Sequence, residues 1–478
     1  MAPSRPGKAR NQVFFGTFIH SKTLGELEYL HNAAVCVDAS GKIVAIEPNC
    51  NQQKAVETLY AGLGWSLDSV AVTVAGNGHQ FFFPGFIDTH VHAPQYPNVG
   101  IFGKSTLLDW LNKYTFPMEA SLSSLPKARR VYTRCIRRTL AHGTTTAAYY
   151  ATIDVDATNL LADLCYSMGQ RAFIGRVCMD HLGPDYYIDE SPDKALAATR
   201  ATIEHIRGID SAFELVSPIL TPRFAPACSA ETMRRLSELQ RQTQLPMQTH
   251  ISENDNEIAL VKELFPDSKS YADVYDTHGL LNEKMILAHA IHLTEEEADL
   301  IAERKAKIAH CPCSNSALTS GIARVRWLLE KGIQVGLGTD MSGGYSPSIL
   351  EAARQAKLVS NHLIAPGGQL AGLPEGEREK AKLSVDEVLH LATRGGAQVV
   401  GLADKIGGFE VGMQWDAQLV DLGAVPDEVA EDDQVLHGNV DVFGWETWDE
   451  RVAKWVFNGD DRNTKKVWVQ GRLVHEHR

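Results

Sequence analysis

Hydrophobic positions along the chain change rhythm twice. Over 11–80 they come in short extended runs. Residues 13–20 read as one strand, and 33–46 as two, joined at Asp38-Ala-Ser-Gly41, a turn signal. From Phe81 onward, short apolar runs alternate with stretches of helical period, the mark of a parallel sheet with crossover helices. Eight runs can be counted, at 81–90, 144–151, 171–179, 213–222, 246–251, 284–290, 306–311 and 333–340. Between them 128–140, 193–206, 230–242 and 295–304 carry a helical pattern, and 315–331 a looser one. Eight strand–helix units over about 260 residues is the size of a (β/α)8 barrel. An exposed excursion rich in Gly, Glu and Lys is expected at 366–382, followed by a helix at 384–402. The extended rhythm then returns. Residues 415–420, 452–457, 466–469 and 473–475 read as strands, with turn points at Asn458-Gly459 and Gln470-Gly471. The predicted fold is therefore α/β. A TIM-like (β/α)8 barrel (81–402) is inserted in a small β-sandwich domain built from both chain termini (1–80 and 403–478).

Composition alters this picture little. The 478 residues are 44% hydrophobic and 22% charged, with a net charge of −13. That balance argues against nucleic acid or an anionic membrane surface as partner and favours a compact, uncharged small molecule. No apolar run approaches the ~20 residues of a membrane helix. The basic start of the chain has no apolar segment behind it, so no secretory signal is expected, and residues 1–10 read as a tail. The C-terminal His-Glu-His-Arg matches no lipidation or retention signal. Eight scattered cysteines do not suggest a disulfide framework, and the cytosol is the expected compartment. Cys311-Pro-Cys313 reads as small residues at a strand end, since a zinc clasp would need a second pair.

The candidate chemistry lies where the runs close. The first ends in His90-Val-His92; on an extended chain, residues two apart point the same way, so both imidazoles leave the strand together. The fifth closes with His250, followed by Glu253. The sixth closes with His289 and the eighth with Asp340. In a barrel of this type the C-terminal strand ends carry the site. Imidazoles and a carboxylate gathered there suit zinc or iron with an open position for water, whose pKa would fall near 7. The fourth run has no lysine to bridge a second metal, which argues for a single ion. Glu253 is close enough in sequence to His250 to shuttle a proton. Asp340 has the chemistry both to bind metal and to accept a proton from water.

These residues in this order resemble the amidohydrolase superfamily. The carriers are Pro84-Gly-Phe-Ile-Asp-Thr-His-Val-His92, Gly143-Thr-Thr-Thr146, His250, His289, Gly338-Thr-Asp340 and the stretch Ile406 to Ala417. The likeness is closer still to its guanine deaminase family. It rests on His92-Ala-Pro-Gln95-Tyr, Leu108 through Pro117-Met-Glu119, Thr221-Pro-Arg-Phe-Ala-Pro226, Gln248-Thr-His-Ile-Ser-Glu-Asn254, His310-Cys-Pro-x-Ser-Asn315 and Gly338 through Ser346. The resemblance spans nearly the whole chain and implies one zinc ion per subunit, held by His90, His92, His250 and Asp340. It also implies that His289 orients the attacking hydroxide and that Glu253 protonates the ring nitrogen. Gln95, Arg223 and the backbone at Phe224 would hold free guanine as C2 is attacked and ammonia leaves, in a cytoplasmic homodimer.

The metal-binding residues alone leave other readings open. A cytosine or adenosine-type deaminase or a triazine chlorohydrolase would need the same ligands, and a non-catalytic assembly protein could inherit the fold. The unrelated zinc deaminases are a poorer fit, because their His-x-Glu and Pro-Cys-x-x-Cys signature is missing.

Overall fold

The structure is a computed structural model and describes residues 10–50, 61–65, 70–76, 78–102, 107–426 and 438–477; apart from Arg10, the expected N-terminal tail lies outside them. Strand Phe86–His92 pairs in parallel with Thr144–Tyr150, that strand with Arg171–Gly175, and the third with Val216–Pro218. Val177–Cys178 and Thr221–Pro222 extend the third and fourth strands alongside each other. Met247–Ile251, Met285–His289, Lys307–His310 and Val335–Leu337 form a second parallel set. Two seams join the sets. Leu220 bridges to Met247, and on the other side the Asp340 N–H donates to the His90 carbonyl (2.8 Å) and the His92 N–H to that of Met341 (3.0 Å). The sheet is thereby closed on itself as an eight-stranded barrel.

The crossover helices form for readable reasons. Val155–Met168 begins at Asp154, whose side chain accepts from the Ala157 N–H, and stops at Gly169, which takes a left-handed φ of 83°. The expected helices appear as Leu125–Ala141, Pro192–Ile209, Ala230–Thr243 and Glu295–Glu303. Where 315–331 reads loosely, two short helices stand instead, Pro312–Ala317 and Val325–Glu330.

The two ends of the chain share one eight-stranded sheet. Asn11–Thr23 pairs with Glu26–Val37 on one side and with Val70–Val74 and Gln80–Pro84 on the other. Gln80–Pro84 then pairs with Ala417–Asp421, followed by Thr464–Val469 and Arg472–Glu476. Phe14 and Trp468 sit three strands apart, which in a flat sheet would separate them by about 14 Å. Their rings lie 5.3 Å apart, so the sheet curls round an aromatic core that includes Phe18, Phe82, Phe409 and Trp415.

Two local expectations change. Residues 452–457 are not a strand but part of helix Trp448–Asn458. Thr447 and Glu450 cap each other at its start, and the buried Val452, Trp455 and Val456 recur at helical spacing, which overrides the extended preference of β-branched residues. The first run is two strands, broken at Gly85. Its N–H donates to the Asp416 carbonyl, and a Cβ there would stand 2.2 Å from Thr145. Only glycine lets the chain cross from one sheet to the other at that point.

Candidate active site

The barrel strands deliver their last side chains into one buried cluster. Three of these ends use backbone conformations that L-residues rarely adopt: Ser252 (φ 49°), His289 and Ala290 (φ 74° and 50°), and Asp340 (φ 44°). Left-handed residues at strand ends cost free energy and persist only where the surroundings hold them, which is common at functional sites. Close backbone approach also matters here. A Cβ on Gly338 would stand 2.8 Å from the His90 Cβ.

His90, His92 and His250 offer ligand atoms that all lie within 4.8 Å of one another. His92 Nε2 is 3.3 Å from His250 Nε2, while Asp340 Oδ1 is 3.2 Å from His90 Nε2 and 3.3 Å from His92 Nε2. The ring tautomer of His250 follows from its surroundings. Its Nδ1 sits 2.6 Å from the Arg223 carbonyl, which only accepts, so Nδ1 carries the proton and Nε2 a bare lone pair. Burial lowers the pKa of His90 and takes those of His92 and His250 well below the ordinary range, leaving neutral rings. His90 Nε2 is buried with no hydrogen-bond partner among the described residues. Lone pairs facing one another beside an ionised carboxylate repel unless a cation lies between them, so this donor set fits a metal ion. Cys311 also lies near His90 and His289, but burial raises its pKa well above the ordinary value, and a thiol is a poor ligand.

Beside the cluster stand His289 and Glu253. His289 Nδ1 donates to the Asn315 amide oxygen (2.9 Å), which leaves Nε2 facing Glu253 Oε2 at 3.4 Å and Asp340 Oδ2 at 3.7 Å. Burial raises the Glu253 carboxyl to about 7, partly offset by the adjacent His289. Its oxygen Oε1 accepts from the Ser320 hydroxyl at 3.3 Å. Its backbone N–H donates to the buried Glu257 (2.9 Å), which also closes a capping box with Asn254 at the start of helix Asp255–Leu264. Glu253 is thus fixed from both ends.

The pocket above is lined by His92, Gln95, Arg223, Phe224, His250, Glu253, Glu257 and Asp340, with Leu107, Trp110, Leu111 and Leu318 as an apolar wall. His90 and His289 are buried and do not line it. The Phe224 ring centroid is 6.4 Å from that of His250. Arg223 is 2% exposed and forms a two-pronged ion pair with Glu119, at 2.7 and 3.1 Å, over the face of Phe116. All nine residues singled out from the sequence therefore converge here.

Residues 81–474 match the amidohydrolase family. The chain belongs to that family. A Schizosaccharomyces pombe protein named "probable guanine deaminase" is 49% identical over 97% of this chain and 83% of its own length. The guanine deaminase of Homo sapiens is 39% identical over 97% and 96%. Among solved structures, the guanine deaminase of C. acetobutylicum with bound guanine is 32% identical, covers 97% of this chain and 100% of its own, and superposes with a TM-score of 0.83.

Amidohydrolases are metal-dependent, in keeping with the donor set above. The residues that sequence reasoning passed over in this amidohydrolase are the supports: Glu119, Tyr187, Glu257, Asn315 and Ser320. Glu119 and Asn315 close two of the motifs that carried the resemblance, so their positions were in view without a role. Tyr187 and Ser320 carry no local signal, and the Asn254–Glu257 spacing signals a helix start but not a contact with Glu253. They are legible only once the groups they touch are known to be buried.

Proposed function

We infer that this protein is a guanine deaminase, hydrolysing free guanine at C2 to xanthine and ammonia. The observation that carries the reading is near-full-length similarity to guanine deaminases in a chain that also gathers a neutral-imidazole cluster, a near-neutral carboxyl and an amide–guanidinium pair in one pocket. We assign His90, His92, His250 and Asp340 as ligands of one zinc ion per chain. When bound, the ion would supply Lewis acidity and bring the pKa of a water down toward 7.

The chain's own residues do the rest. Gln95 and Arg223 hold the purine, with Phe224 and the apolar wall excluding bulk solvent. Two protons must move: one onto N3 as oxygen adds to C2, one onto the amine as it leaves. Glu253, with its carboxyl near neutrality, gives the first; as a carboxylate it then takes the proton of the hydroxyl added at C2 and passes it to the amine as the second. His289, its Nδ1–H committed to Asn315, turns Nε2 toward the attacking water and orients it. Asp340 Oδ2 takes the water's first proton in passing and gives it up to recharge Glu253, so both groups end as they began. Water and guanine enter; xanthine and ammonia leave, with no other reactant.

The same reading treats 1–80 and 403–478 as one small domain around a catalytic barrel at 81–402, supported by the sheet that both chain ends share. It also makes the enzyme a cytoplasmic homodimer. No helix among the described residues is long and apolar enough to cross a membrane, and the net charge of −13 argues against nucleic acid as partner. Ammonia release from guanine tests the function. Activity should vanish on chelation and return with zinc, and the purified enzyme should hold one zinc per chain. No ammonia above background would refute it. Sedimentation showing only monomer would refute the dimer.

A further inference from the structure

The two groups that hold the purine share one anchor. Glu119 lies in the short helix Phe116–Ala120, is 1% exposed, and stands behind the pocket wall rather than in it. Its carboxylate takes four hydrogen bonds. Oε1 accepts from Gln95 Nε2 (2.8 Å) and Arg223 Nη2 (3.1 Å); Oε2 accepts from Arg223 Nη1 (2.7 Å) and the Tyr187 hydroxyl (2.7 Å).

This arrangement determines which face each group shows to a ligand. An ionised carboxylate accepts only. One N–H of the Gln95 amide is therefore committed to Glu119, which fixes which way round the amide sits and leaves its Oε1 as an acceptor, approached by the Ser342 hydroxyl at 3.4 Å. Arg223 has five N–H bonds and spends two on Glu119, so donors remain for the pocket. A neutral or absent partner at 119 would let the Gln95 amide turn over and show a donor instead.

We propose that Glu119 is a specificity-determining positioning residue: it sets an acceptor (Gln95) beside a donor (Arg223), the complement of a lactam edge. The 6-oxo purines present such an edge, N1–H as donor next to O6 as acceptor. An amidine edge, as in adenine, presents acceptor next to donor and leaves both protein groups unpaired in a buried site, which costs affinity steeply. The proposal rests on the guanine deaminase reading for its ligand class. Its chemistry is that of binding, so it is tested without turnover.

The test compares hypoxanthine, which has the lactam edge, with adenine, which has the amidine edge, as ligands of the zinc-loaded enzyme by calorimetry. Wild type should prefer hypoxanthine by a hundredfold or more. Glu119→Gln should cut that preference at least tenfold, mainly by weakening hypoxanthine, and should raise KM for guanine more than it lowers kcat. Tyr187→Phe, which removes one of the four hydrogen bonds but no charge, should cut it severalfold. A folded Glu119→Gln protein with the wild-type preference overturns the proposal. If that variant does not fold, Tyr187→Phe decides: a reduced preference supports the proposal and an unchanged one overturns it. Absence of guanine turnover in wild type would refute the functional reading, and the hypoxanthine-to-adenine ratio would still judge Glu119.

Discussion

Replacing Glu253 with glutamine removes one exchangeable proton and the carboxylate charge that faces His289 Nε2 at 3.4 Å, with little change in shape. The side chain is 4% exposed and held by contacts that an amide preserves: an amide oxygen still accepts from Ser320, and the backbone N–H still donates to Glu257. No cavity opens and no charge partner on the metal-binding residues is altered. What disappears is a carboxyl near pH 7, able to give and take a proton at working pH. General acid–base groups contribute about 10²–10⁴-fold to rate, or about 3–5 kcal/mol of barrier. The variant should therefore lose that factor in kcat, keep KM within about threefold, and keep its zinc, as read by ammonia release, xanthine absorbance and metal analysis. The sign of the pH effect follows from the role. A carboxyl acting as an acid must be protonated, so kcat/KM should fall as pH rises through about 7, and the variant should lack that limb. A kcat within tenfold of wild type would refute the proton-transfer role of Glu253.

Two further predictions concern stability. Asp416, just before strand Ala417–Asp421, pairs with Arg171 at the start of the third barrel strand, with side chains 2% and 4% exposed. Asp416→Asn should lower unfolding free energy by about 3–5 kcal/mol in urea, because it leaves a buried guanidinium without its counter-charge; a loss under 1 kcal/mol would sink that account. His390 is buried with Nδ1 2.8 Å from the Ser21 hydroxyl, and burial, then the nearby Arg394, lowers its pKa from 6.5 to about 4. The unfolded chain takes a proton below 6.5 while the fold refuses it until about 4, so the contribution is whole above pH 6.5 and is lost as pH falls to 4. The loss is at most about 3 kcal/mol. His390→Gln should show a correspondingly shallower drop in stability between pH 7 and 4.5; equal slopes would refute the assignment.

The reach of the sequence can be judged residue by residue. His90, His92, His250, His289 and Asp340 were legible because a parallel barrel gathers its strand ends, and each closes a short apolar run that announces itself. Gln95, Arg223 and Phe224 came from motif resemblance, not from any period. Glu119 closes one of those motifs but has no role legible there, because its meaning lies in partners 24 and 104 positions away. Nothing local distinguishes a carboxylate that anchors a pocket from one on a solvated helix. Helix Trp448–Asn458 reads as a strand for the opposite reason. Its Val and Trp content speaks for a strand, and only the Thr447–Glu450 cap and the tertiary burial of one face reveal the helix.

The division of labour between Glu253 and Asp340, two of the carboxylates lining the pocket, follows from what surrounds each. Both Glu253 and Asp340 are buried, and burial alone would push both toward the neutral acid. Asp340 is met by His90, His289 and His92, which together overcome desolvation and hold it well below the ordinary carboxylate range. Glu253 is lowered by His289 but raised by Asp340 and Glu257, and it settles near neutrality. His289 lies between them, raised by Glu253 and Asp340 despite its own burial. Two titratable groups whose surroundings push them apart are suited to different tasks. The one held ionised can hold a cation and keeps a proton only in passing. The one near neutrality can exchange a proton in either direction within a single turnover. Exchanging the residue types, with glutamate at 340 and aspartate at 253, would leave this split largely intact, because it is set by the histidines around 340 and the second carboxylate at 257. The double variant should therefore lose activity through misplaced geometry, while its remaining kcat/KM should still fall as pH rises through about 7.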